Sequence, residues 1–347
     1  MLRVGVIGAS GYTGLELLRI LLRHPQVELA AVTSEQRTGM GVGEAFPSLR
    51  GLLDLRFESA AEVGSIAGRI DLAFTALPHA TSAPVVATLR RAGLPVIDLS
   101  ADFRLRDPLV YARWYGDHGA PELLGSAVYG LPEIHREAIG KSDFVAAPGC
   151  YPTSVLIPLA PFLRAGLVEA TEILVDSKSG VSGAGRTLAD GYLLAELDSN
   201  VYAYKAGGAH RHVPEIEQEA ALLAGEEVRI GFVPHLLPVI RGMATTIFVR
   251  TRRALATDEA LACLRAAYDR EPFVRVLPKG ETPKLSSVRG SNFCDVGAVV
   301  DERTGRLVLL STIDNLGKGA SGQAVQCMNL LKGLPETMGL IEAPLVP

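Results

Sequence analysis

A glycine-rich turn at residues 8–14 (GASGYTG) constrains the fold of this chain more than any other feature of its sequence. The turn follows an apolar strand predicted over 2–7 and opens a helix predicted over 13–23. Glycines there let the backbone bend tightly and approach a pyrophosphate, while the helix N-terminus offers free N–H groups. The G-x-x-G-x-x-G spacing departs from G-x-G-x-x-G, so a tight turn without a ligand is the alternative. The candidate cofactor-binding residues of the turn are Gly8, Ser10, Gly11, Tyr12, Thr13 and Gly14.

Apolar strands alternate with helical periodicity through the first third of the chain. Beyond the turn, the predicted elements are strands over 27–33, 71–76 and 94–99 and a helix over 81–92. This alternation predicts an α/β domain over 1–147 with a Rossmann-like, doubly wound parallel sheet. Longer strands with irregular links predict an α+β domain over 148–317 with a mixed or antiparallel sheet. A C-terminal helix within 318–347 is expected to rejoin the first domain.

Composition excludes several classes of protein. The 347 residues include 34 Lys and Arg against 38 Asp and Glu, a net charge of -4, which provides no basic field for nucleic acid. No apolar run reaches the ~18 residues of a membrane span. The four cysteines have neither disulfide-framework nor metal-site spacing. These features predict an enzyme of the reducing cytoplasm.

The end of the second predicted strand indicates which dinucleotide binds. An NAD site usually places an acid there to accept from the ribose hydroxyls. Here Ser34 occupies the expected strand end, and Arg37 lies near enough to pair with a 2′-phosphate. Glu35 could serve NAD if the strand ended one residue later. The segment therefore favours NADP(H) over NAD(H).

Cys150 is the cysteine whose position suggests chemistry. The segment PGCYPTS at 148–154 leads from a strand into a helix, and Pro152 suits a first-turn position. A helix N-terminus stabilises a thiolate, which is the nucleophilic form of cysteine. The sequence pattern alone leaves two interpretations, a nucleophile or a buried packing thiol.

A nucleophilic cysteine needs a base, and the segment AHRHVPEI at 209–216 offers one. If the segment is extended, His210 and His212 share a face, and the helix predicted from Pro214 favours a neutral imidazole at His212. Glu215 could orient the ring through a hydrogen bond. A His-x-His-x-x-Glu metal site is the rival interpretation, but no further clustered ligand supports it.

Two polar loops are candidates for anion recognition. One runs from Asp98 to Leu105 and contains Arg104, and the other, SKSGVSGAGR, ends at Arg186. A guanidinium on such a loop suits a phosphate or carboxylate because it binds them bidentately. A flexible surface loop is the alternative in each case.

Taken together, the motifs resemble the N-acetyl-γ-glutamyl-phosphate reductase family of arginine biosynthesis over essentially the full length. The resemblance is carried by GASGYTG at 8–14, LSADFRL at 99–105, PGCYPT at 148–153, SGVSGAGR at 179–186, AHRHVPEI at 209–216 and DNLGKGASGQAVQ at 314–326. It implies a nucleophilic Cys150, with His212 as general base or acid and Glu215 beside it. It also implies substrate-anion binding by Arg104, Arg186 and His210, and NADP contacts from residues 10–13, the segment Ser34, Glu35 and Gln36, and Asn315.

The resemblance implies a covalent mechanism. The Cys150 thiolate attacks an acyl phosphate, phosphate leaves, and the thioester is reduced to an aldehyde with hydride from NADPH. It also implies a homo-oligomer, a tetramer or a dimer, acting on a small molecule that could be presented by a carrier protein.

Three alternatives to this function remain open at the level of sequence. A related lysine-biosynthesis branch reduces an amino-protected or carrier-bound α-aminoadipyl phosphate, one methylene longer. Aspartate-semialdehyde dehydrogenase shares the thioester chemistry, although the HRHVPEI and PGCYPT motifs favour the acylglutamyl branch. A non-catalytic, redox-sensing NADP-binding module would need the nucleotide turn but neither Cys150 nor the His-Glu pair.

Overall fold

The computed structural model describes residues 1–186 and 189–345, which divide into two compact units. One unit comprises Met1–Pro148 and Ala320–Ile341, and the other comprises Gly149–Gly319 and the residues from Glu342. The chain therefore leaves the first unit after residue 148 and returns to it at residue 320. Within the described residues, no helix has the length and hydropathy needed to cross a membrane.

The strands of the first unit are β1 (Leu2–Ile7), β2 (Val27–Val32), β3 (Leu72–Thr75), β4 (Val96–Asp98), β5 (Val128–Tyr129) and β6 (Phe144–Ala146). Those of the second are β7 (Val168–Gly180), β8 (Tyr202–Ala203), β9 (Ile230–Leu237), β10 (Met243–Thr251), β11 (Val274–Val276), β12 (Cys294–Asp301) and β13 (Arg306–Ile313). The α-helices are α1 (Tyr12–Leu21), α2 (Val42–Ala45), α3 (Val63–Ala67), α4 (Ser82–Arg91), α5 (Pro108–Tyr115), α6 (Pro132–Gly140), α7 (Cys150–Arg164), α8 (Leu194–Leu197), α9 (Val213–Ala224), α10 (Thr257–Tyr268) and α11 (Gly322–Leu331).

The first unit is built on a parallel sheet with the order β2-β1-β3-β4-β6-β5 in the described part of the chain. Helix α11 packs against α1 and α6, and α3 packs against α4. Strands β3 and β4 are buried throughout, as expected of a sheet with helices on both faces. Because the order changes direction between β1 and β3, ligands are expected at the carboxyl ends of these strands. The predicted Rossmann-like sheet is confirmed.

The second unit is built on a mixed sheet with the order β11-β12-β13-β10-β7-β9-β8 in the described part of the chain. Its central strands β13, β10 and β7 are antiparallel neighbours, whereas β7 and β9 run parallel. Helix α7 packs on β7, β10 and β13, and α9 packs on α7. The predicted α+β domain with a mixed sheet is confirmed.

One face of the second sheet carries an exposed apolar row. Leu174 pairs with Phe248, Phe248 with Val308, and Val308 with Val299, so the row crosses β7, β10, β13 and β12. Leu174, Phe248 and Val299 are exposed, whereas Ile247, on the opposite face, is buried. We call Leu174, Phe248, Val308 and Val299 the apolar row.

The C-terminal helix predicted within 318–347 is α11, Gly322–Leu331, which follows a π-helical turn at Gly317–Ser321. Gly333 has a φ of +65°, and its N–H and that of Leu334 bond back to the last turn of α11. This left-handed glycine ends the helix.

A buried histidine ties the residues after α11 to the first unit. The Nε2 of His24 lies 2.9 Å from the Oδ1 of Asn329, and its Nδ1 accepts from the N–H of Gln26 at 3.3 Å. The Asn329 amide donates to the carbonyls of Glu336 and Met338. Since Nδ1 accepts, the ring is neutral with its proton on Nε2, and burial lowers the pKa of His24.

The lowered pKa of His24 predicts acid-sensitive stability. In the unfolded chain a histidine titrates near ~6.5, so the neutral ring stabilises the fold above that pH, and the contribution is lost as pH falls through the lower pKa of the folded state. We expect the thermal midpoint to fall between pH 7.5 and pH 5 by about 2–4 °C more in the wild type than in His24→Gln. Differential scanning calorimetry measures both proteins, and equal pH dependence would contradict the assignment.

Candidate active site

Cys150 is the first residue of α7, and Gly149 is its N-cap. The thiol-bearing residue is half-buried. Gly149 has no side chain to cap the helix, and the positive end of the helix dipole lies at the cysteine. This placement favours a thiolate at Cys150.

A buried carboxylate holds the residue that precedes the cysteine. Glu215, in the first turn of α9, is 1% exposed, and its Oε1 accepts the N–H of Gly149 at 2.8 Å. The sequence suggests that Glu215 orients His212. That role stays a prediction; the structure shows the carboxylate bonded to Gly149, which joins the start of α9 to the start of α7.

The imidazole of His212 packs directly on Gly149. A Cβ built at Gly149 would overlap the His212 Nε2, so no residue other than glycine leaves room for this ring. A Cβ built at Gly319 would lie 2.8 Å from the Cβ of Cys150. The two glycines therefore allow a histidine and the backbone of Gly319 to approach the cysteine closely.

His210 differs from His212 in its environment. It is 8% exposed, and its Nδ1 accepts the backbone N–H of His212 at 3.1 Å. Burial, with smaller effects from Lys205 and Arg211, lowers the pKa of His210 to about 4. His210 is therefore neutral near pH 7, with its proton on Nε2, and fixes the backbone that carries His212.

Two tyrosines that the sequence analysis did not single out complete this cluster. The hydroxyls of Tyr151 and Tyr204 lie 3.0 Å apart, and both rings meet the edge of His210. Burial is the main cause that raises the pKa of each tyrosine. Both remain protonated and can donate hydrogen bonds. In the sequence, the position of Tyr151 directly after Cys150 is the one feature that could have indicated its place in the site.

Asn315 and Arg186 also belong to the second unit. Asn315 is buried, its Oδ1 accepts the N–H of Gly242 at 2.7 Å, and its Nδ2 donates to the hydroxyl of Ser182 at 2.9 Å. Arg186 is exposed beyond the 3-10 turn Val181–Ala184. Asn315 is thus rigidly held, and Arg186 extends from an irregular loop.

In the first unit, the three glycines of the nucleotide turn have different roles. Gly8 has a φ of +89°, and a Cβ at Gly14 would lie 2.5 Å from the Cα of Ala9, so both are required by the backbone itself. A Cβ at Gly11 would meet nothing within 4 Å. Open space at this glycine fits the close approach of a bound pyrophosphate. Tyr12 and Thr13 begin α1 beside it.

The segment after β2 bears on cofactor choice. The Glu35 carboxylate accepts from the hydroxyl of Ser59 and from the N–H of Ala60, so it turns toward that neighbouring segment. The buried hydroxyl of Ser34 finds no hydrogen-bond partner among the described residues. Arg37 lies over the ring of Phe46, 5.8 Å from its centroid. Gln36, next to it, is exposed. An unsatisfied hydroxyl at the strand end fits a bound ribose phosphate.

Arg104 is more deeply buried than an anion-binding loop residue was expected to be. It is 6% exposed, and its guanidinium donates to the carbonyl of Ala147 at 2.8 Å and to that of Leu99 at 2.9 Å. These contacts join the segments that follow β4 and β6. Substrate binding by Arg104 stays a prediction.

The second unit thus brings together Cys150, His210, His212 and Glu215, whereas the first unit holds Arg104 and the turn. Among the described residues, no group of three or more His, Cys, Asp or Glu side chains is placed to hold a metal ion. The second-unit cluster has the components of thiol chemistry: a cysteine at a helix start, an imidazole against its backbone and a buried carboxylate.

Models of two domain families match the chain. Residues 3–142 match the semialdehyde dehydrogenase NAD binding domain, and residues 150–315 match the semialdehyde dehydrogenase dimerisation domain. Solved structures show the same fold. Aspartate semialdehyde dehydrogenase II from Vibrio cholerae, complexed with ASA, has a TM-score of 0.73 at 19% identity, covering 96% of this chain and 98% of that one. The Candida albicans enzyme with NADP has a TM-score of 0.71 at 18% identity, covering 96% and 98%.

Curated relatives are much more similar in sequence. N-acetyl-gamma-glutamyl-phosphate reductase of Geobacter sp. (strain M21) is 52% identical over 347 residues, which is all of both chains. The protein of that name from Moorella thermoacetica is 48% identical over 348 residues, again covering both chains completely. This chain belongs to the N-acetyl-gamma-glutamyl-phosphate reductase family, within the semialdehyde dehydrogenases.

Proposed function

We propose that this protein reduces N-acetyl-γ-glutamyl phosphate to its semialdehyde and inorganic phosphate with NADPH, as a step of arginine biosynthesis. The observation that carries the proposal is the packing of His212 on Gly149, directly before the helix-start cysteine. The names of relatives at 48–52% identity support this substrate over the aminoadipyl homologue. We further propose a cytoplasmic location, where thiols stay reduced.

The first step is acyl transfer to the sulfur of Cys150. The thiolate attacks the acyl carbon, a C–S bond forms, and the C–O bond to phosphate breaks with the electron pair leaving on phosphate. The α7 dipole stabilises the thiolate before attack. The product is a thioester, which accepts hydride far more readily than a carboxylate does.

His212 transfers the proton in both the acylation of Cys150 and the release of its sulfur. Its Nε2 lies beside the backbone of Gly149, where it can take the thiol proton and then, as imidazolium, stabilise the oxyanion on the acyl carbon. Bound NADPH supplies the hydride that reduces the thioester. When the C–S bond then breaks, the imidazolium returns a proton to the departing Cys150 sulfur. The neutral His210 keeps the His212 backbone in place.

The substrate anions need cationic or N–H partners. Arg186 lies on an exposed loop, and the Nε2–H of His210 is a donor, so we propose that these two groups bind phosphate or carboxylate. Arg104 has two N–H groups committed to backbone carbonyls. We propose that Arg104, held in place by these two hydrogen bonds, also contacts the substrate.

We propose NADP(H) as the cofactor. The pyrophosphate would be held by Gly8, residues 10–13 and Gly14. Asn315 would contact the nicotinamide end. The adenosine ribose and its 2′-phosphate would be bound by Ser34, Gln36 and Arg37. The internal hydrogen bonds of Glu35 support this choice, because they turn the acid that would favour NAD toward Ser59 and Ala60.

We also propose a homo-oligomer, in which a second copy covers the apolar row. Phe248 at its centre is 39% exposed, and the matching family domain is described as a dimerisation domain. A continuous row of large apolar side chains on an exposed sheet face marks a protein interface.

Cys150→Ser is expected to lower NADPH-dependent turnover by about 10³-fold or more, because a hydroxyl at this position is not ionised near neutrality. NADPH affinity should remain unchanged, which fluorescence titration measures.

Steady-state assays of the wild type in the phosphate-dependent reverse direction should favour N-acetylglutamate semialdehyde over its aminoadipate analogue. We expect a ratio of about tenfold or more in kcat/KM, because one methylene changes the fit.

Three outcomes would contradict these predictions. Retained turnover in Cys150→Ser would overturn covalent catalysis. A wild type that binds NADPH but reduces neither acyl phosphate would favour a non-catalytic binding module. Preference for the aminoadipate analogue would move the protein to the lysine branch.

Arg37→Ala is expected to raise the Kd for NADPH about tenfold and to leave the Kd for NADH within about twofold, because only NADPH carries the 2′-phosphate. Fluorescence titration measures both constants. Arg50→Ala, which removes an exposed arginine from the same unit, is the matched control for net charge. Equal weakening of both cofactors by Arg37→Ala would refute phosphate recognition by Arg37.

Phe248→Asp is expected to dissociate the oligomer, because it places a charge at the centre of the apolar row. Light scattering coupled to size-exclusion chromatography measures the mass. Leu109→Asp, at an exposed leucine of the first unit, should leave the mass unchanged. A wild type that is monomeric at micromolar concentration would refute the interface.

A further inference from the structure

Helix α7 contains two prolines that each remove a backbone hydrogen bond. Pro158 and Pro161 have no N–H, so the carbonyls four residues earlier, of Ser154 and Ile157, lose their partners within the helix. Both carbonyls are nevertheless satisfied. The hydroxyl of Ser311 donates to the carbonyl of Ser154 at 2.6 Å, and that of Tyr268 donates to the carbonyl of Ile157. The prolines thus convert two helix carbonyls into attachment points for other elements.

Ser311 belongs to a row of hydroxyls on the face of the second sheet that carries α7. Ser177, Thr245 and Ser311 pair directly across β7, β10 and β13, and all three are buried. The next row on this face is apolar, with Val175, Ile247 and Leu309 at the paired positions. We call Ser177, Thr245 and Ser311 the hydroxyl row. Burying hydroxyls in an apolar layer is unfavourable unless each is hydrogen-bonded.

The directions of these hydrogen bonds follow from the number of available protons. Ser154 donates its only hydroxyl proton to the carbonyl of Tyr151 at 2.9 Å. Its oxygen lies 2.8 Å from that of Thr245 and must therefore accept from Thr245. Thr245, whose proton is used in this way, must accept from Ser177 at 2.8 Å. A directed chain therefore runs from Ser177 through Thr245 and Ser154 to the first turn of α7.

We infer that the hydroxyl row positions the first turn of α7 and thereby sets the place of the Cys150 sulfur. Apolar contacts alone would permit small shifts of a helix along a sheet, whereas directional hydrogen bonds to Ser154 and Tyr151 fix its rotation and height. The hydroxyl-row residues are positioning residues, since they act on the sulfur through the helix. The inference rests on the proposed function, in which Cys150 is the nucleophile.

The prolines make a discriminating experiment possible. Ser311→Ala leaves the Ser154 carbonyl without its donor, and Pro158→Ala in that background restores an N–H within the helix but not the tether to β13. We expect Ser311→Ala to lower kcat about tenfold with a smaller change in KM, and to lower the thermal midpoint. The double variant should recover the thermal midpoint while kcat stays low. Recovery of kcat together with stability would overturn the positioning role.

A second pair of variants tests Thr245. Thr245→Val keeps the shape but removes the hydroxyl, and Thr245→Ser keeps the hydroxyl. We expect about a tenfold loss of kcat in the first and near wild-type kcat in the second. Ile247→Val, one row away on the same face, is the control for loss of packing and should retain kcat. Equal kcat in Thr245→Val and Ile247→Val would overturn the inference.

Alkylation of Cys150 by iodoacetamide across pH 6–9 provides a readout that does not need the proposed substrate. Displacement of the first turn in Thr245→Val should change the rate of alkylation by at least about threefold at one or more pH values. The rate should not change in Ile247→Val. A wild type without reductase activity would refute the proposed function while leaving this comparison intact. Identical alkylation profiles in the two variants would refute positioning.

Discussion

The site depends on a close approach that only a glycine allows. His212 occupies the space that a Cβ at Gly149 would need, and the N–H of the same residue is held by the buried carboxylate of Glu215. Gly149 thus contacts an imidazole where a side chain would lie, and its backbone N–H donates to a carboxylate. Because Cys150 follows it directly, these contacts determine where α7 begins and what surrounds the sulfur.

Buried carboxylates play a similar part elsewhere in the chain. Asp102 accepts the N–H groups of Ala80, Ser82 and Ala83 at the start of α4, and Asp314 accepts those of Gly290, Leu316 and Gly317 while it pairs with Arg241. Each carboxylate satisfies several backbone donors of an irregular segment. Loops of this kind can then be buried and still hold side chains at fixed positions.

Asp98 shows how strongly the end of β4 is committed to structure. It is completely buried and accepts the hydroxyls of Thr75, Ser82 and Ser100, and burial raises its pKa. Arg104, five residues beyond Leu99, is likewise engaged with backbone carbonyls. The polar residues of LSADFRL therefore first build the loop, and any contact with a ligand is made from that rigid frame.

Local sequence determined the fold class, the nucleotide turn and the start of α7. Apolar strands alternating with amphipathic helices leave little choice but a covered parallel sheet, and a glycine turn between strand and helix has a local conformation. These features are decided by neighbours within about ten residues, which is why motifs reveal them. The end of α11 is equally local, because the left-handed Gly333 follows the last helical residue by two positions.

Tertiary structure alone decided which polar side chains surround Cys150 and how each is used. The contact between Glu215 and Gly149 joins residues 66 positions apart, and Ser311 reaches a carbonyl 157 positions earlier. Sequence spacing contains no distance information at that range. It is also the packing that buries His210, lowers its pKa and makes it a neutral support for His212. The residue types are readable from the chain, but hydrogen-bond direction, burial and protonation arise only when distant segments exclude water together.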